Sequence, residues 1–415
     1  MVLIAAALLA IAWANSPWAS LYDDLWRAKL TFDLNLVTLH EDLRHLVNDG
    51  AMTLFFFVVG LEIKRELLRG ELASPQKAAL PVAAAVGGMV APAVIFATIN
   101  LGGGGASGWA IPMATDIAFA VGVLALAGPR VPTSLKVFLL ALAIVDDLGA
   151  IVVIAVFYTE SISVEALVWA AIAVSAVIGA RIAGVRSILF YVIPGLLFWL
   201  AVFESGIHAT LAGVILAFLT PAGPITSREV YHAALRQLMG ELNSAQVLRG
   251  GDAQDAITAE IDRLTDDREP PLDRLERVLH PWASFAVVPL FAFANAGLDL
   301  SPDFFGRLAN SAVGLGVVGG LVVGKPLGIL LFSWLAVRLG MAELPAGTRW
   351  RDIGAVGLLA GIGFTVALFV ASLAFDSAET VDEAKAGIFF ASLVAGGIGF
   401  LAVRSAQRRV GDTDH

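Results

Sequence analysis

The chain contains no cysteine, which excludes both disulfides and thiolate metal sites. Charge is also scarce. Asp, Glu, Lys and Arg make up 15% of the 415 residues, where soluble domains carry about 25%. No glycine-rich loop of the phosphate-cradling type is present, so nothing points to nucleotide-driven work. Neither a cofactor nor a nucleic-acid partner is expected. The abundant residues are apolar, with 58% hydrophobic residues and a mean hydropathy of +0.81. That composition reads as an all-α polytopic membrane protein whose main partner is the lipid bilayer. The net charge of −9 says little, because the placement of the basic residues decides orientation.

Apolar runs near 20 residues long mark membrane spans. About twelve are expected, near 2–20, 49–68, 77–100, 109–128, 133–158, 164–182, 187–202, 205–220, 280–299, 311–335, 351–375 and 383–404. Residues 2–14 admit a second reading, a signal peptide with "AWA" as its cleavage site. No Lys or Arg precedes that run, so the basic leader region is missing and a first membrane helix is the reading adopted.

The basic residues test the count. With an even number of spans, 21 Lys and Arg fall in the loops and tail on one side and five on the other, while Lys325 lies inside a span. The positive-inside rule then places both termini in the cytoplasm. The chain divides into one transmembrane unit (1–404), an external loop (23–48), a cytoplasmic loop (221–279) and a cytoplasmic tail (405–415). "KLTFDLNLVTL" in the external loop alternates apolar and polar residues and suggests a small hairpin. "SREVYHAALRQLMGEL" and "AQDAITAEIDRL" in the cytoplasmic loop have helical spacing. They read either as solvated loop or as helix along the membrane surface.

Weak internal symmetry is visible. Spans 3–5 and 10–12 occupy comparable places, and the middle member of each trio is interrupted. Pro112 breaks "AIPMATDIAFAVGVLAL", and Gly357, Gly361 and Gly363 break "GLLAGIGFTVALFVASLAF". Paired interrupted spans point to a transporter's midplane site. If spans 4 and 11 cross at these breaks, four half-helix ends face each other.

Acids in oil need a reason, since a charge at the bilayer centre costs at least about 2.5–3.5 kcal/mol. Asp146 and Asp147 stand side by side in span 5, in "LALAIVDDLGAIVVIA", and Asp116 follows Thr115 just past Pro112. Adjacent helix residues point about 100° apart, so one aspartate can face a cavity and the other its wall. Neighbouring buried carboxylates hold a proton at one pH and a hard cation at another. Two roles are open for Asp116. It either binds the ion or neutralises two facing helix N-termini, and Lys325 would do the same for facing C-termini. Lys325 is alternatively a partner of Asp147 that gives up a proton as the cation arrives. His208 is either a pH switch or a polar packing residue. Glu62 and Glu66, four apart, either form an acidic funnel mouth or end an ordinary solvated helix.

Taken together, "NDGAMTLFFFVVGLEIKREL", "ATDIAFAVGVLAL", "LALAIVDDLGAIVVIA", "ESGIHATLAGVI", "LHPW…PLFAFANAG", "GKPLGI" and "GIGFTVALFVASLAF" resemble the NhaA-type sodium/proton antiporters of bacterial inner membranes. The match runs in order from about residue 48 to 404. The resemblance implies a secondary transporter, not an enzyme, built of twelve helices around an inverted-repeat core in which spans 4 and 11 cross as broken helices. It implies electrogenic exchange of cytoplasmic Na⁺ or Li⁺ for external H⁺ by a homodimer, giving sodium and pH homeostasis. Asp147 matches the family's principal cation and proton carrier and Asp146 its neighbour. Thr115 and Asp116 match the crossing, Lys325 the intramembrane lysine, and Asp49 an acid at the start of span 2. Glu62, Glu66, His208, Glu276 and His280 match residues of the pH response. Three features depart from the pattern: Arg277 stands where some members have His, the 221–279 loop is long, and a polar N-terminal leader is missing. A sodium-coupled symporter would need a roomier polar site, and a channel would need a filter-like carbonyl loop. Neither is visible.

Overall fold

The computed structural model describes residues 1–33, 38–128, 131–159, 162–185, 189–223, 233–240, 256–260 and 269–411. It opens with α1 (Val2–Ala14) and α2 (Ala19–Trp26), followed by strands β1 (Lys29–Asp33) and β2 (Thr38–Asp42). The strands pair antiparallel, Lys29 opposite Asp42 and Asp33 opposite Thr38. Helix α3 (Leu43–Leu46) passes through a wide π-type turn (Val47–Ala51) into α4 (Met52–Arg69). Next come α5 (Pro75–Ile99), a 3₁₀ stretch (Ala106–Met113), α6 (Ile117–Leu126), α7 (Thr133–Phe157), α8 (Val164–Ile182), α9 (Leu189–Phe203) and α10 (Thr210–Leu219).

Two helical pieces, α11 (233–240) and α12 (256–260), are described in the long loop; the rest of the two segments with helical spacing lies outside the described residues. The chain continues with α13 (Pro271–Trp282), a π-type turn (Ala283–Val287), α14 (Val288–Asn295), α15 (Phe304–Asn310) and α16 (Ala312–Val318). After a second such turn (Gly319–Gly324) come α17 (Lys325–Arg338), α18 (Trp350–Ala360), α19 (Phe364–Ala374) and α20 (Ala378–Gly411).

Among the described residues, eight helices are long and apolar enough to cross a membrane. Two more stretches qualify only as bent pairs, α1 with α2 (116°) and α18 with α19 (49°), and α9 and α10 are shorter apolar helices. These pieces occupy the twelve apolar runs of the sequence. The fold is that of a multi-pass all-α membrane protein.

The first expected span, 2–20, is shorter than its apolar run. Helix α1 stops at Ala14 and the chain turns sharply. Ser16 precedes Pro17, and a residue before proline is pushed out of the helical region. Asn15 then secures the turn, its amide donating to Ile11 O (2.8 Å) and Leu298 O (2.7 Å). The ninth span begins earlier than expected, at Pro271 rather than near 280, because the Pro271–Asn295 stretch is helical throughout.

Helix α7 is the most buried of the eight, which places its two aspartates in the protein's centre rather than in lipid. The α5 and α17 helices pack backbone to backbone. A methyl group on Gly87 would strike the Gly328 carbonyl, and one on Gly324 would lie 2.8 Å from Pro92 Cα. Small residues at such positions let helices approach where no hydrophobic force drives them together. This contact presses the Lys325 end of α17 against α5.

Candidate functional site

Both interrupted spans unwind next to α7. In the first, Pro112 ends a 3₁₀ stretch and Ala114, Thr115 and Asp116 run extended before α6 begins. In the second, α18 continues through Gly357 to Ala360 and breaks only over Gly361–Gly363. The breaks meet directly: the Asp116 N–H donates to Ile362 O (2.7 Å).

Asp116 caps two helices at once. Its Oδ1 accepts from the Phe119 N–H (2.9 Å) in the first turn of α6. Its Oδ2 accepts from the Thr365 hydroxyl (2.6 Å) and N–H (3.2 Å) in the first turn of α19. One carboxylate thereby satisfies the orphan donors of two facing N-termini, where the helix dipoles favour negative charge.

The opposite ends carry orphan carbonyls, and these are met by donors. Lys325 Nζ donates to Met113 O at the end of the 3₁₀ stretch. Thr115 Oγ1 lies 2.9 Å from Ala360 O at the end of α18 and 2.7 Å from Asp146 Oδ2. Lys325 Nζ also lies 2.6 Å from Asp146 Oδ2, with both side chains fully buried. Lys325 therefore pairs with Asp146, not with Asp147 as one sequence reading had it. The cause is the helical step of about 100° between neighbours: Asp146 faces Thr115 and Lys325, and Asp147 faces elsewhere.

Asp147 is the exception among these buried groups. It is 1% exposed, and neither of its carboxyl oxygens has a hydrogen-bond partner among the described residues; Asp146 Oδ1 has none there either. Buried polar atoms are normally paired. Carboxylate oxygens are ligands that suit hard cations, and three of them on these adjacent residues are left unused by the described residues.

The remaining predicted residues fall into two groups, at opposite ends of α4. Asp49 and Glu62 are 13 residues apart, about 20 Å of helix. At one end Glu62, Glu66 and Glu276 converge on Arg65. Arg65 Nη1 donates to Glu276 Oε1, and Nη2 lies 3.4 Å from Glu66 and 4.0 Å from Glu62. The acidic mouth that one reading of Glu62 and Glu66 offered holds an arginine at its hub. His280 is exposed one turn beyond Glu276. Arg277 donates to Glu269 (2.7 and 3.1 Å) and holds that carboxylate below its usual range. At the other end Asp49 meets His208 (3.6 Å) and His45 (2.9 Å).

Sequence reasoning missed Arg65, His45 and Thr365. His45 stands four residues before Asp49, a spacing that puts both on one helix face. Thr365 follows the second break just where a first-turn donor is needed.

The sequence model of the family described as Na+/H+ antiporter 1 matches residues 1–403. The chain belongs to that family. A Na(+)/H(+) antiporter NhaA of Rhodopirellula baltica is 48% identical over 403 residues, covering 97% of this chain and 90% of its own. A Na(+)/H(+) antiporter NhaA 2 of Sorangium cellulosum is 45% identical over 414 residues, covering 98% and 88%. One from Syntrophotalea carbinolica is 45% identical over 413 residues, covering 99% and 94%. Membership of the Na+/H+ antiporter 1 family makes this chain a membrane transporter rather than an enzyme. It agrees with the resemblance drawn from the aspartate motifs.

Proposed function

We propose that this chain exchanges cytoplasmic Na⁺ or Li⁺ for external H⁺ across a bacterial inner membrane, with Asp147 as the group that carries one or the other. The observation that carries the reading is the partnerless Asp147 carboxylate, 1% exposed. A bare charge there costs too much to persist, so it is matched by a proton or by a cation. A single site that holds either, open to water from one side at a time, couples two opposed fluxes without ATP.

Lys325 and Asp146 supply the second titrating element. When a cation reaches the two aspartates it competes with the Lys325 ammonium for Asp146 Oδ2, and a lysine losing its partner in oil gives up its proton readily. More than one proton then moves per cation, which makes the exchange electrogenic. Asp116 and Thr115 hold the crossing and do not carry the ion. The crossing itself is what an inverted repeat of spans 3–5 and 10–12 would produce. The Arg65 end of α4 faces the cytoplasm along with both termini, as the distribution of basic residues requires. The hairpin of β1 and β2 lies outside and contributes to a homodimer.

The test is proton release. Na⁺ or Li⁺ added to the purified protein in weakly buffered detergent at alkaline pH should release protons, read with a pH indicator. Asp147→Asn should release none. Saturable Na⁺ binding without any release of protons overturns the reading.

A further inference from the structure

Helix α1 is too short to cross a membrane alone. Its 13 residues rise about 20 Å, and a hydrocarbon core is about 30 Å thick. The chain then turns through 116° into α2. Helix α2 therefore runs roughly along the membrane plane, on the side where α4 begins.

Successive helix residues step by about 100°, and this sorts Trp18 and the residues of α2 into three faces. Tyr22 and Trp26 are buried, 2% and 3% exposed. Their rings meet that of Phe293 on α14 edge-on at 6.1 and 5.6 Å, and the Tyr22 hydroxyl donates to Phe293 O (2.7 Å). Ser20, Asp23 and Asp24 form an exposed polar face. Between these two lies a third face of Trp18, Leu21 and Leu25, which are 66%, 56% and 39% exposed. Positions three and four apart share one side of a helix, so the three side chains make a continuous apolar stripe.

The turn that carries α2 is built for a place without water. The Asn15 amide donates to Ile11 O and Leu298 O, and its Oδ1 accepts the Leu300 N–H (2.8 Å). The Ser16 hydroxyl donates to Trp13 O (2.8 Å) and accepts the Trp18 N–H (3.2 Å). Trp13 Nε1–H donates to Trp18 O (3.1 Å). A turn standing in water leaves such groups to the solvent, whereas at bilayer depth they must be met within the protein.

The surroundings of the stripe point to its occupant. It continues the lipid-facing side of α1, where Leu8 and Leu9 are 61% and 58% exposed. Leu300, held by Asn15, adds another apolar side chain beside the turn, 50% exposed. A second copy of the chain fits poorly. These side chains offer a few hundred Å², and a stable protein interface covers about 800 Å² on each partner. Charge does not choose the occupant either. Asp23, Asp24, Arg27 and Lys29, the charges on α2 and just after it, cancel.

We propose that α2 is an interfacial foot that lays Trp18, Leu21 and Leu25 into the boundary between lipid headgroups and acyl chains. Tryptophan suits that depth, and helices lying there sink their apolar side about 5–10 Å into the boundary. The foot completes the crossing that α1 leaves short. Because Tyr22 and Trp26 fasten it to Phe293, it also sets the depth of α14 in the bilayer. The grip is apolar and so does not depend on the headgroup charge.

The chain has no cysteine, so one introduced cysteine places one label. Leu21→Cys, Leu25→Cys, Ser20→Cys and Asp24→Cys each carry a nitroxide in proteoliposomes. Collisions with oxygen, which concentrates in lipid, are compared with collisions with a water-soluble nickel chelate. The oxygen-to-nickel ratio at positions 21 and 25 should exceed that at 20 and 24 several times over. It should do so in phosphatidylcholine and phosphatidylglycerol vesicles alike, and in high salt. Equal ratios at all four positions overturn the proposal, because the stripe then stands in water. Poor access for both reagents at 21 and 25, with spectral broadening that vanishes on dilution with unlabelled protein, overturns it in favour of a second copy. Insertion seen only in anionic vesicles and lost in salt also overturns it, since Arg27 and Lys29 would then supply the attraction. Native side chains give an independent reading. The tryptophan emission lost to lipids brominated near the headgroup should be smaller in Trp18→Phe than in the wild type, and an equal loss overturns the proposal.

Discussion

Replacing Lys325 with alanine tests whether the crossing is held by charge. The substitution removes the Nζ that lies 2.6 Å from Asp146 Oδ2 and also caps Met113 O, in a site with no exposure. Taking one partner from a buried ion pair costs about 3–5 kcal/mol, because the other charge stays in oil without compensation. With unfolding entropy growing in proportion to chain length, that corresponds to a fall of roughly 3–6 °C in the melting temperature. The assay is thermal unfolding in detergent of Lys325→Ala, Asp146→Asn and the double variant. If the pair is the cause, the double variant should be markedly more stable than the sum of the single losses, by a coupling of about 0.5–3 kcal/mol. Additive losses refute the reasoning. So does a Lys325→Ala protein that keeps its full thermal stability while its exchange disappears, since Lys325 would then serve transport and not the fold.

Asp147→Asn should behave in the opposite way. It breaks no hydrogen bond among the described residues, so the melting temperature should not fall, while Na⁺-dependent proton movement in everted vesicles should vanish; wild-type exchange rates would contradict this. Asp116→Ala should destabilise by about 3 kcal/mol, from a lost cap of about 1 kcal/mol and an orphaned buried Thr365 hydroxyl of about 1–3 kcal/mol, as read by detergent unfolding. A neutral result would mean the two helix starts find other acceptors. Because Arg277 holds the Glu269 carboxylate low, that pair's contribution to the start of α13 is present at neutral pH and fades as pH falls through the Glu269 titration. Arg277→Ala should return the Glu269 carbon shift to an ordinary titration in NMR, and an unmoved curve would show that the arginine is not responsible.

The sequence revealed where the membrane stretches lie and which acids are out of place, because both signals are local. Twenty apolar residues, a proline inside such a run or two adjacent aspartates are legible without neighbours. Which partner Lys325 takes was not legible. That choice depends on the azimuth of α7 against a helix some 180 residues away in sequence. Glu62 and Glu66 suggested an acidic mouth, and only the arrival of Glu276 from α13 shows Arg65 at its hub. The sharp turn after Ala14 was within reach, since Ser16-Pro17 announces it, but the apolar run concealed it. His45 was hidden by its setting outside any span, although its spacing from Asp49 was on the page.

The glycine contact between α5 and α17 limits where ions can travel. Two backbones touching at Gly87 and Gly328 leave no side-chain gap between them. Neither water nor a hydrated cation can thread that seam. An aqueous route to Asp147 must open along another wall of α7.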